Sequence, residues 1–345
     1  MTTASNGGSG NECSRLETAP WLGCTHRFVA LVLALGSTTL PTSAATAPTQ
    51  ATHRKATESE AVAHATSPAL GSMSPAASAS GQRQVPNLEI PPPQPGHPAV
   101  APGALQGPSR ARASGSTAPA ATRNSAGLGE GFVGPQGTFN MRTMPPDPNG
   151  DVGPNHYVQI VNLSLAVFDK AGTVLYGPVP NNTLWTGFGG LCEQHNDGDP
   201  IVVYDGLADR WVISQFAIQS HGPNFECIAV STTSDPLGTY ALYAYSYEHF
   251  NDYPKIALWP DAYYATYNMY EYIGGDFIGT KTCALVRSRM LANLPANQQC
   301  VDFDGIGFLP SDLDGTTPPP VGSPNYLLGG KPDDLEPTGH VPVPR

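Results

Sequence analysis

The stretch VGPNHYVQIVN, residues 152–162, decides the fold because its outline returns later as LWPDAYYATYN, residues 258–268. In both, Pro stands two places after an apolar residue, and Asn or Asp follows it. An aromatic residue comes two places later, and an alternating run ends in Asn. Between them, VVYDGLADRWVISQ, residues 202–215, has the same design with a longer turn. Such self-similarity is the signature of a repeat architecture.

Aromatic residues mark the start of each unit. Tyr157, Trp211 and Tyr263 are 54 and 52 residues apart, and Tyr326 follows at a looser spacing of 63 residues. Apart from a short helical turn near 289–293, the apolar residues alternate in short runs without a helical period. About four strands in every ~50 residues is typical of a β-propeller blade, because one small twisted sheet cannot bury both faces alone. An aromatic-rich β-sandwich is the alternative.

The fold class predicted from this spacing is all-β. It is a β-propeller of four-stranded blades, with about three blades and the start of a fourth, behind a disordered N-terminal region. The predicted segments are a signal peptide with a long n-region at 1–47, a disordered Ala/Pro/Ser-rich linker at 48–130, a partial propeller at 131–329 and an irregular tail at 330–345.

Three phrases carry a resemblance to a known group of proteins. They are PPDPNGDVGPNHYVQIVN at 145–162, NDGDPIVVYDGLADRWVISQFA at 196–217 and NDYPKIALWPDAYYATYN at 251–268. Over about 140–329 the chain resembles uncharacterised secreted bacterial β-propeller proteins. The resemblance implies a propeller that starts here and continues well beyond this chain. It implies no catalytic residues.

The C-terminal stretch departs from this pattern. Propellers typically close with about four to eight blades, whereas the residues after Leu328 are Pro-rich and lack strand alternation. We expect a tail that is out of frame or otherwise truncated. An open array would leave an apolar face and unpaired edges exposed. The alternative is a homo-oligomer in which two chains complete one ring.

The N-terminal stretch HRFVALVLALGSTTLPTSAATA, residues 26–47, has the features of a secretory signal. Arg27 is a basic entry, the run 28–35 is apolar, and small residues at 45–47 offer cleavage sites. The apolar run is too short for a membrane span, which needs about 20 residues. The sequence therefore predicts a secreted, periplasmic or cell-envelope protein without a stable membrane span.

Composition separates the linker from the folded part. Residues 41–130 contain 13 Pro and no Phe, Trp or Tyr. Without such side chains a segment cannot bury enough apolar area to offset its ordering entropy. From residue 131 onward the formal charge is −13, with 22 acidic and 9 basic residues. An acidic domain without a basic patch argues against nucleic acid and suits cations or neutral ligands such as glycans.

The cysteines of the folded part are even in number. Cys13 and Cys24 would leave with the signal, and four remain in an oxidising compartment. We predict the local pairing, Cys192 with Cys227 and Cys283 with Cys300, against the alternative of four buried free thiols. No CxxC or clustered His suggests zinc.

Each unit is entered through an acidic turn. The first strand of a propeller blade lines the central channel, so residues just before it would gather around one mouth. We therefore predict a carboxylate ring, neutralised by a cation such as Ca²⁺. Its predicted members are Asp151, Asp199, Asp252 and Asp314. The loop at 147–151 fails the EF-hand pattern, and the alternative is that Asp and Asn only cap turns.

One stretch also suggests catalysis. GDPIVVYDGLADRW, residues 198–211, looks like the start of a glycosidase propeller blade, in which Asp199 would be the general base. A second carboxylic acid is required. The available glutamates are Glu193, Glu226, Glu248 and Glu271. None lies in a recognisable motif, and other catalytic signatures are absent from the sequence.

The predicted function is a secreted or cell-envelope binding module without catalytic residues, with a glycan or protein as ligand and with cation stabilisation. The first alternative is a glycoside-acting hydrolase that uses Asp199. The second is a truncated, non-functional fragment.

Overall fold

The computed structural model describes residues 56–77, 125–140, 145–220 and 222–330. All of them belong to the second of two compact units, Gln50–Arg345; the first unit is Met1–Thr49. The predicted signal peptide at 1–47, most of the predicted linker and residues 331–345 of the predicted tail lie outside the described residues.

The described chain is all-β, as predicted. Four short strands come first: β1 Thr57–Glu60, β2 Ala63–Thr66, β3 Val133–Gly134 and β4 Gly137–Thr138. The first large sheet contains β5 Asn149–Val152, β6 His156–Val161, β7 Ser164–Asp169 and β8 Val174–Pro180. The second contains β9 Gly198–Asp205, β10 Arg210–Ala217, β11 Asn224–Ser231 and β12 Tyr240–Tyr247. The third contains β13 Phe250–Leu258, β14 Tyr263–Tyr270, β15 Phe277–Leu285 and β16 Asn297–Phe303. A final pair is β17 Ile306–Pro310 and β18 Leu327–Gly330.

Helical elements are few and short. They are α1 Gly190–Gln194, α2 Arg287–Leu291 and two 3-10 turns at Leu70–Ser72 and Asn181–Trp185. None of the helices in the described ranges has the length and apolar character needed to cross a membrane.

Each large sheet is an antiparallel meander, in which consecutive strands pair. Sequence explains this: the strands are short and separated by turn residues, so the next strand returns beside the last. The turn of the hairpin between β7 and β8 shows the chemistry, because the Asp169 carboxylate accepts hydrogen bonds from the backbone N–H of Ala171 and Thr173 at 2.8 Å each.

The hydrophobic core lies between successive sheets. One cluster joins the first and second sheets and includes Ile160, Leu165 and Ile213. A second cluster joins the opposite face of the second sheet to the third and includes Tyr243 and Tyr263. The second sheet is thus apolar on both faces. The first strands also follow one another in space, since β5 contacts β9, β9 contacts β13 and β13 contacts β17.

Both predicted disulfides are present. Cys192 of α1 bonds to Cys227 of β11, and Cys283 bonds to Cys300 at directly opposite positions of β15 and β16. The alternative of four free thiols is wrong. In the chain-entropy account, closing loops of 35 and 17 residues stabilises the fold by roughly 3 to 4 kcal/mol each.

Residues 56–77 are ordered, in contrast to the linker predicted over 48–130. β1 extends the third sheet by pairing with β16, and β2 extends the second by pairing with β12. Leu70 is fully buried, and the Tyr176 hydroxyl of the first sheet donates to the Met73 carbonyl at 3.0 Å. Composition missed this segment because edge pairing relies on backbone hydrogen bonds, which need few apolar side chains.

A buried ion pair joins the second and third sheets. Asp205, at the end of β9, is fully buried and accepts from Arg287 Nε at 2.7 Å and Nη2 at 3.0 Å. The Tyr263 hydroxyl donates to the same carboxylate at 2.8 Å. Two backbone N–H groups in the following turn, of Leu207 and Ala208, complete its partners. A buried carboxylate tolerates its charge when a cation and several donors surround it in this way.

Candidate functional site

Charged side chains also gather at the opposite end of β9. Asp199 is its second residue, and Asp252 and Lys255 lie on the neighbouring strand β13. Asp147 comes from the segment before β5, and Glu226 comes from β11. We call these five residues the acidic cluster. Asp199 and Lys255 are each close enough to the other members for their charges to shift one another's pKa.

The backbone of the cluster is strained. Asp147, Asp199 and Tyr253 have φ of 37°, 44° and 52°, in the left-handed region that residues other than Gly rarely adopt. The pairing of β13 with β14 also shifts register between Asp252 and Lys255, as at a β-bulge. Bulges and strained residues are concentrated at functional sites, because they re-aim side chains at a cost that the surrounding fold carries.

Asn162 holds two members of the cluster in place. Its Nδ2 donates to Asp147 Oδ2 at 2.6 Å and to the Pro145 carbonyl at 3.0 Å. Its Oδ1 accepts from the Asp199 N–H at 2.8 Å. Gly198 makes this approach possible, since a Cβ there would lie 2.6 Å from Asn162 Oδ1. One amide therefore fixes Asp147 and Asp199 relative to one another.

Glu226 forms the buried floor of the cluster. It is 0% exposed, and Asn251 Nδ2 donates to its Oε2 at 3.2 Å. The buried Ser214 hydroxyl lies close enough to the Glu226 carboxyl to lower its pKa, and the Asn251 Oδ1 has no hydrogen-bond partner within the described part of the chain.

The two half-buried aspartates differ in acidity. Burial, and after it the neighbouring carboxylates of Asp252 and Asp147, together raise the pKa of Asp199 to about 8. Burial raises the pKa of Asp252 to about 6, with the Tyr253 N–H acting in the opposite direction. Near pH 7 the pair therefore holds a proton, and it resides mainly on Asp199.

Burial is also the largest cause of the pKa shifts of Glu226 and Lys255. It raises the pKa of Glu226 to about 8, so this carboxyl is mainly neutral near pH 7. Burial lowers the pKa of the Lys255 ammonium, whereas Asp199 and the other carboxylates raise it. Lys255 Nζ donates to the Pro254 carbonyl at 2.9 Å, and across the described ranges it has no carboxylate oxygen within 4.0 Å.

An exposed aromatic ring lies beside these carboxyls. Tyr253 is 47% exposed, and its N–H donates to Asp199 Oδ2 at 3.2 Å. The Lys255 ammonium lies 3.5 Å from the centroid of the Tyr253 ring. The ring therefore already binds a cation on one side and presents the rest of its surface to solvent.

The predicted ring of four carboxylates is not formed, because its members separate into two groups. Asp151 accepts from the Tyr204 N–H at 2.6 Å. Tyr204 is five positions after Asp199 on β9, which is roughly 17 Å along an extended strand. At that end, Asp312 lies close enough to both Asp314 and Asp151 for their charges to raise its pKa.

Other polar side chains near Asp151 and Asp314 in sequence bind backbone groups of the neighbouring sheet. Asn149 accepts from the Val202 N–H and Asp312 from the Leu258 N–H, each at 2.7 Å. This agrees with the alternative that acidic turns cap the backbone. In the described ranges, no three His, Cys, Asp or Glu side chains come together in an arrangement that could hold a metal ion. The calcium site predicted on the ring loses its geometric basis.

The structure also narrows the catalytic alternative. Among the candidate acids, Glu226 lies next to Asp199, whereas Glu193 accepts hydrogen bonds from the backbone N–H of Gly187 and Gly189. The pKa of about 8 gives Asp199 the properties of a proton donor near pH 7, not those of the predicted general base. Asp252, with a pKa of about 6, is better suited to accept a proton.

Sequence reasoning missed Lys255, Asn162 and the role of Glu226. Lys255 lies within the quoted phrase NDYPKIALWPDAYYATYN, but it matches no motif. These residues are identified by their burial and by their proximity to one another, although they come from different strands and loops. Local sequence spacing encodes neither property.

Comparison with protein-family models, with curated proteins and with solved structures found no match to this chain.

Proposed function

We propose that this chain is an exported binding module built on a β-propeller plan, and that its ligand is a glycan bound at the acidic cluster. Three four-stranded meanders follow one another, and their first strands β5, β9 and β13 are spatial neighbours. Radial packing of blades about a channel would give this order of contacts. The pair β17–β18, whose first strand contacts β13, supports the start of a fourth blade.

Export is supported by the disulfides. Two bonds join all four cysteines of the described region. Such bonds persist in oxidising compartments and are rare in the cytosol. Together with the signal-like N-terminal sequence, they favour a secreted, periplasmic or cell-envelope location.

The observation that carries the ligand proposal is that the exposed Tyr253 follows Asp252 in the chain and donates its N–H to Asp199. Sugars are recognised by polar groups that bind hydroxyls and by aromatic faces that cover the C–H side of the ring. Here an exposed aromatic ring and two half-buried carboxyls meet where the bulge of β13 lies beside the start of β9. The acidic domain and the oxygen-rich cluster suit a ligand that is rich in hydrogen-bond donors.

A glycan array followed by calorimetry with the best ligand tests this function. We expect binding by the full chain and an affinity about tenfold weaker in Tyr253→Ala, which corresponds to about 1.4 kcal/mol and lies within the range of about 1 to 3 kcal/mol found when a ligand ring, there a nucleic-acid base, stacks on an aromatic side chain. Tyr326→Ala is the matched control, because Tyr326 is 66% exposed and lies outside the cluster. Equal losses in both variants, or no glycan binding at all, would refute the proposal.

A hydrolase is the second candidate because of the difference in acidity between Asp199 and Asp252. A carboxyl of pKa about 8 beside one of about 6 is the arrangement that assigns acid and base roles. Incubation of each bound glycan with the protein, followed by measurement of new reducing ends, separates the two functions. Turnover that disappears in Asp199→Asn indicates a hydrolase, whereas binding without turnover indicates a binding module.

A further inference from the structure

One short segment, residues 56–77, contacts all three large sheets in succession, and we call it the strap. β1 pairs with β16, the last strand of the third sheet, and β2 pairs with β12, the last strand of the second. Near the first sheet, the Met73 carbonyl accepts from Tyr176 of β8. The Ala76 N–H donates to Oγ1 of Thr183, which follows β8, at 3.1 Å. The strap therefore meets the sheets in the reverse of their order along the chain.

The strap passes from the third sheet to the second at two adjacent residues. The Ala61 N–H donates to the Ala296 carbonyl, just before β16, at 3.1 Å. The Val62 N–H donates to the Ala244 carbonyl of β12 at 2.8 Å. Consecutive backbone groups of one segment thus bind two different sheets.

The first part of the strap is held through its backbone. The four side chains of β1 are all exposed, although its residues lie directly opposite those of β16. Such pairing is strand addition, in which main-chain hydrogen bonds supply the affinity and the side chains of the added strand matter little. The sheet edges alone therefore accept many extended segments.

The second part of the strap supplies the selective contacts. Leu70 is 0% exposed and packs into the core between the first and second sheets, and its N–H donates to the Gly238 carbonyl at 2.9 Å. Three positions earlier, the buried Ser67 Oγ accepts from the Tyr240 N–H at 2.9 Å. A strand followed by a side chain in a pocket is how strand-addition sites select their peptide.

The edges that the strap covers belong to strands that also pair within their own sheets. β12 pairs with β11, and β16 pairs with β15. Within 56–77, the buried side chains are those of Ser67, Leu70 and Met73. Residues 78–124 separate the strap from the next described segment. The strap thus has the contacts of a ligand added to sheet edges, which are templates for pairing with another chain.

We propose that the outer edges of β12 and β16, together with the pocket for Leu70, form a peptide-binding groove whose tethered ligand is the strap. Once the tethered strap is released, the same segment of a second copy of the chain replaces it. The occupant is an extended segment with a buried hydroxyl and, three residues later, a buried leucine. While the strap is bound, it keeps both edges from pairing with other chains.

Cutting the chain between the strap and the sheets tests the proposal on the assembled protein. A specific protease site is inserted between Gly103 and Ala104 of the full chain and cleaved after folding. Both disulfides lie on the C-terminal side of the cut, so neither holds the strap covalently. The probe is a fluorescent peptide of residues 56–77, and anisotropy measures its uptake.

We expect saturable uptake of one probe per cut chain. The uncut chain is the control and should take up the probe about tenfold less well, because a tethered strap competes at a high effective concentration. Absence of uptake by the cut chain, whether its own strap stays bound or leaves, would overturn the proposal. Equal uptake by cut and uncut chains would place the probe outside the groove and would overturn it too.

Variants of the probe test the pocket without altering the fold of the protein. The Leu70→Ala probe should bind roughly thirtyfold more weakly, because it loses a buried leucine side chain. The matched control is the Val62→Ala probe, since Val62 is 62% exposed, and its affinity should stay within about twofold of the unmodified probe. Equal affinities of the two variant probes would refute the role of the Leu70 pocket.

Discussion

An aspartate lies near each end of strand β9, and the two differ in how completely their carboxyl groups are paired. At the C-terminal end of β9, Asp205 is fully buried, and its carboxylate accepts hydrogen bonds from Arg287, from Tyr263 and from two backbone N–H groups. At its start, Asp199 lies among other carboxyls, and the Lys255 ammonium is beyond ion-pair distance. Both positions face the same neighbouring sheet. Burial by itself therefore does not separate these two carboxyl groups, whereas the completeness of their hydrogen-bond and ion-pair partners does.

The difference has an energetic meaning. A buried charge with all its partners gives up little by remaining ionised and stabilises one arrangement of two sheets. A carboxyl group among like charges either keeps its proton or is stabilised by a cation. It can therefore still gain favourable interaction energy when a cationic or donor ligand binds beside it. The strain at Asp147, Asp199 and Tyr253 belongs to the second kind of site.

The largest expected effect comes from breaking the satisfied pair. Arg287→Met should lower the free energy of unfolding by about 3 to 5 kcal/mol, because it leaves the buried Asp205 carboxylate without its cation. Urea denaturation measures this change. Lys281→Met is the matched control. It breaks an ion pair with the 39%-exposed Asp302 and should cost less than about 1 kcal/mol. Similar losses in both variants would contradict the special status of Asp205.

Exchanging aspartate for asparagine compares the two ends directly. Asp205→Asn should cost about 3 kcal/mol near pH 7, because it removes the charge that Arg287 requires. Asp199→Asn should change the free energy of unfolding by less than about 1 kcal/mol, since Asp199 is mainly protonated there and an amide resembles the neutral acid. Calorimetric unfolding of both variants measures the two changes in the free energy of unfolding. A large loss in Asp199→Asn would show that this end is structural too.

The next effect concerns pH. The folded pKa of Glu226 is about 8, above its ordinary value of 4.5, so the folded protein keeps a proton that the unfolded chain releases. Its contribution to stability is complete below pH about 4.5 and falls by up to about 1.4 kcal/mol per pH unit as pH rises toward 8. As pH rises from about 4.5 to 8, the free energy of unfolding of Glu226→Gln should therefore fall less than that of the unmodified chain.

Urea denaturation between about pH 5 and pH 8 checks that slope. Glu248→Gln, at an exposed glutamate between β12 and β13, is the control and should follow the unmodified chain. Parallel curves for Glu226→Gln and the unmodified chain would mean that Glu226 is ionised in the folded state. A cation would then have to lie beside it.

The smallest expected effect tests backbone strain in the cluster. Tyr253 has a φ of 52°, which Gly adopts freely and other residues adopt at a cost of about 1 kcal/mol. Tyr253→Gly should therefore be more stable than Tyr253→Ala by up to about 1 kcal/mol, while both variants lose the exposed ring. Thermal unfolding shows which of the two variants is more stable. If Tyr253→Ala is the more stable, the backbone at this bulge of β13 relaxes when the ring is removed.

The predicted elements succeeded where the relevant information is local. Alternation without a helical period predicted an all-β chain, and cysteine count with spacing predicted both disulfides. The ring of carboxylates failed because equivalent positions in sequence were assumed to reach the same end of each strand. Hydrogen bonds place Asp151 beside Tyr204, far along β9 from Asp199. Strand β1 was missed because edge pairing leaves almost no pattern in side chains.

By itself, the sequence determined that the chain is all-β, that its cysteines pair locally and that its C-terminal two thirds are acidic. These properties follow from neighbours in sequence and from composition. Only the tertiary structure decided that Asp199 meets Asp252, Glu226 and Lys255 while Asp205 meets Arg287. The reason is physical. Acidity and ligand affinity depend on distances and burial between sheets, and those are fixed only when the sheets pack.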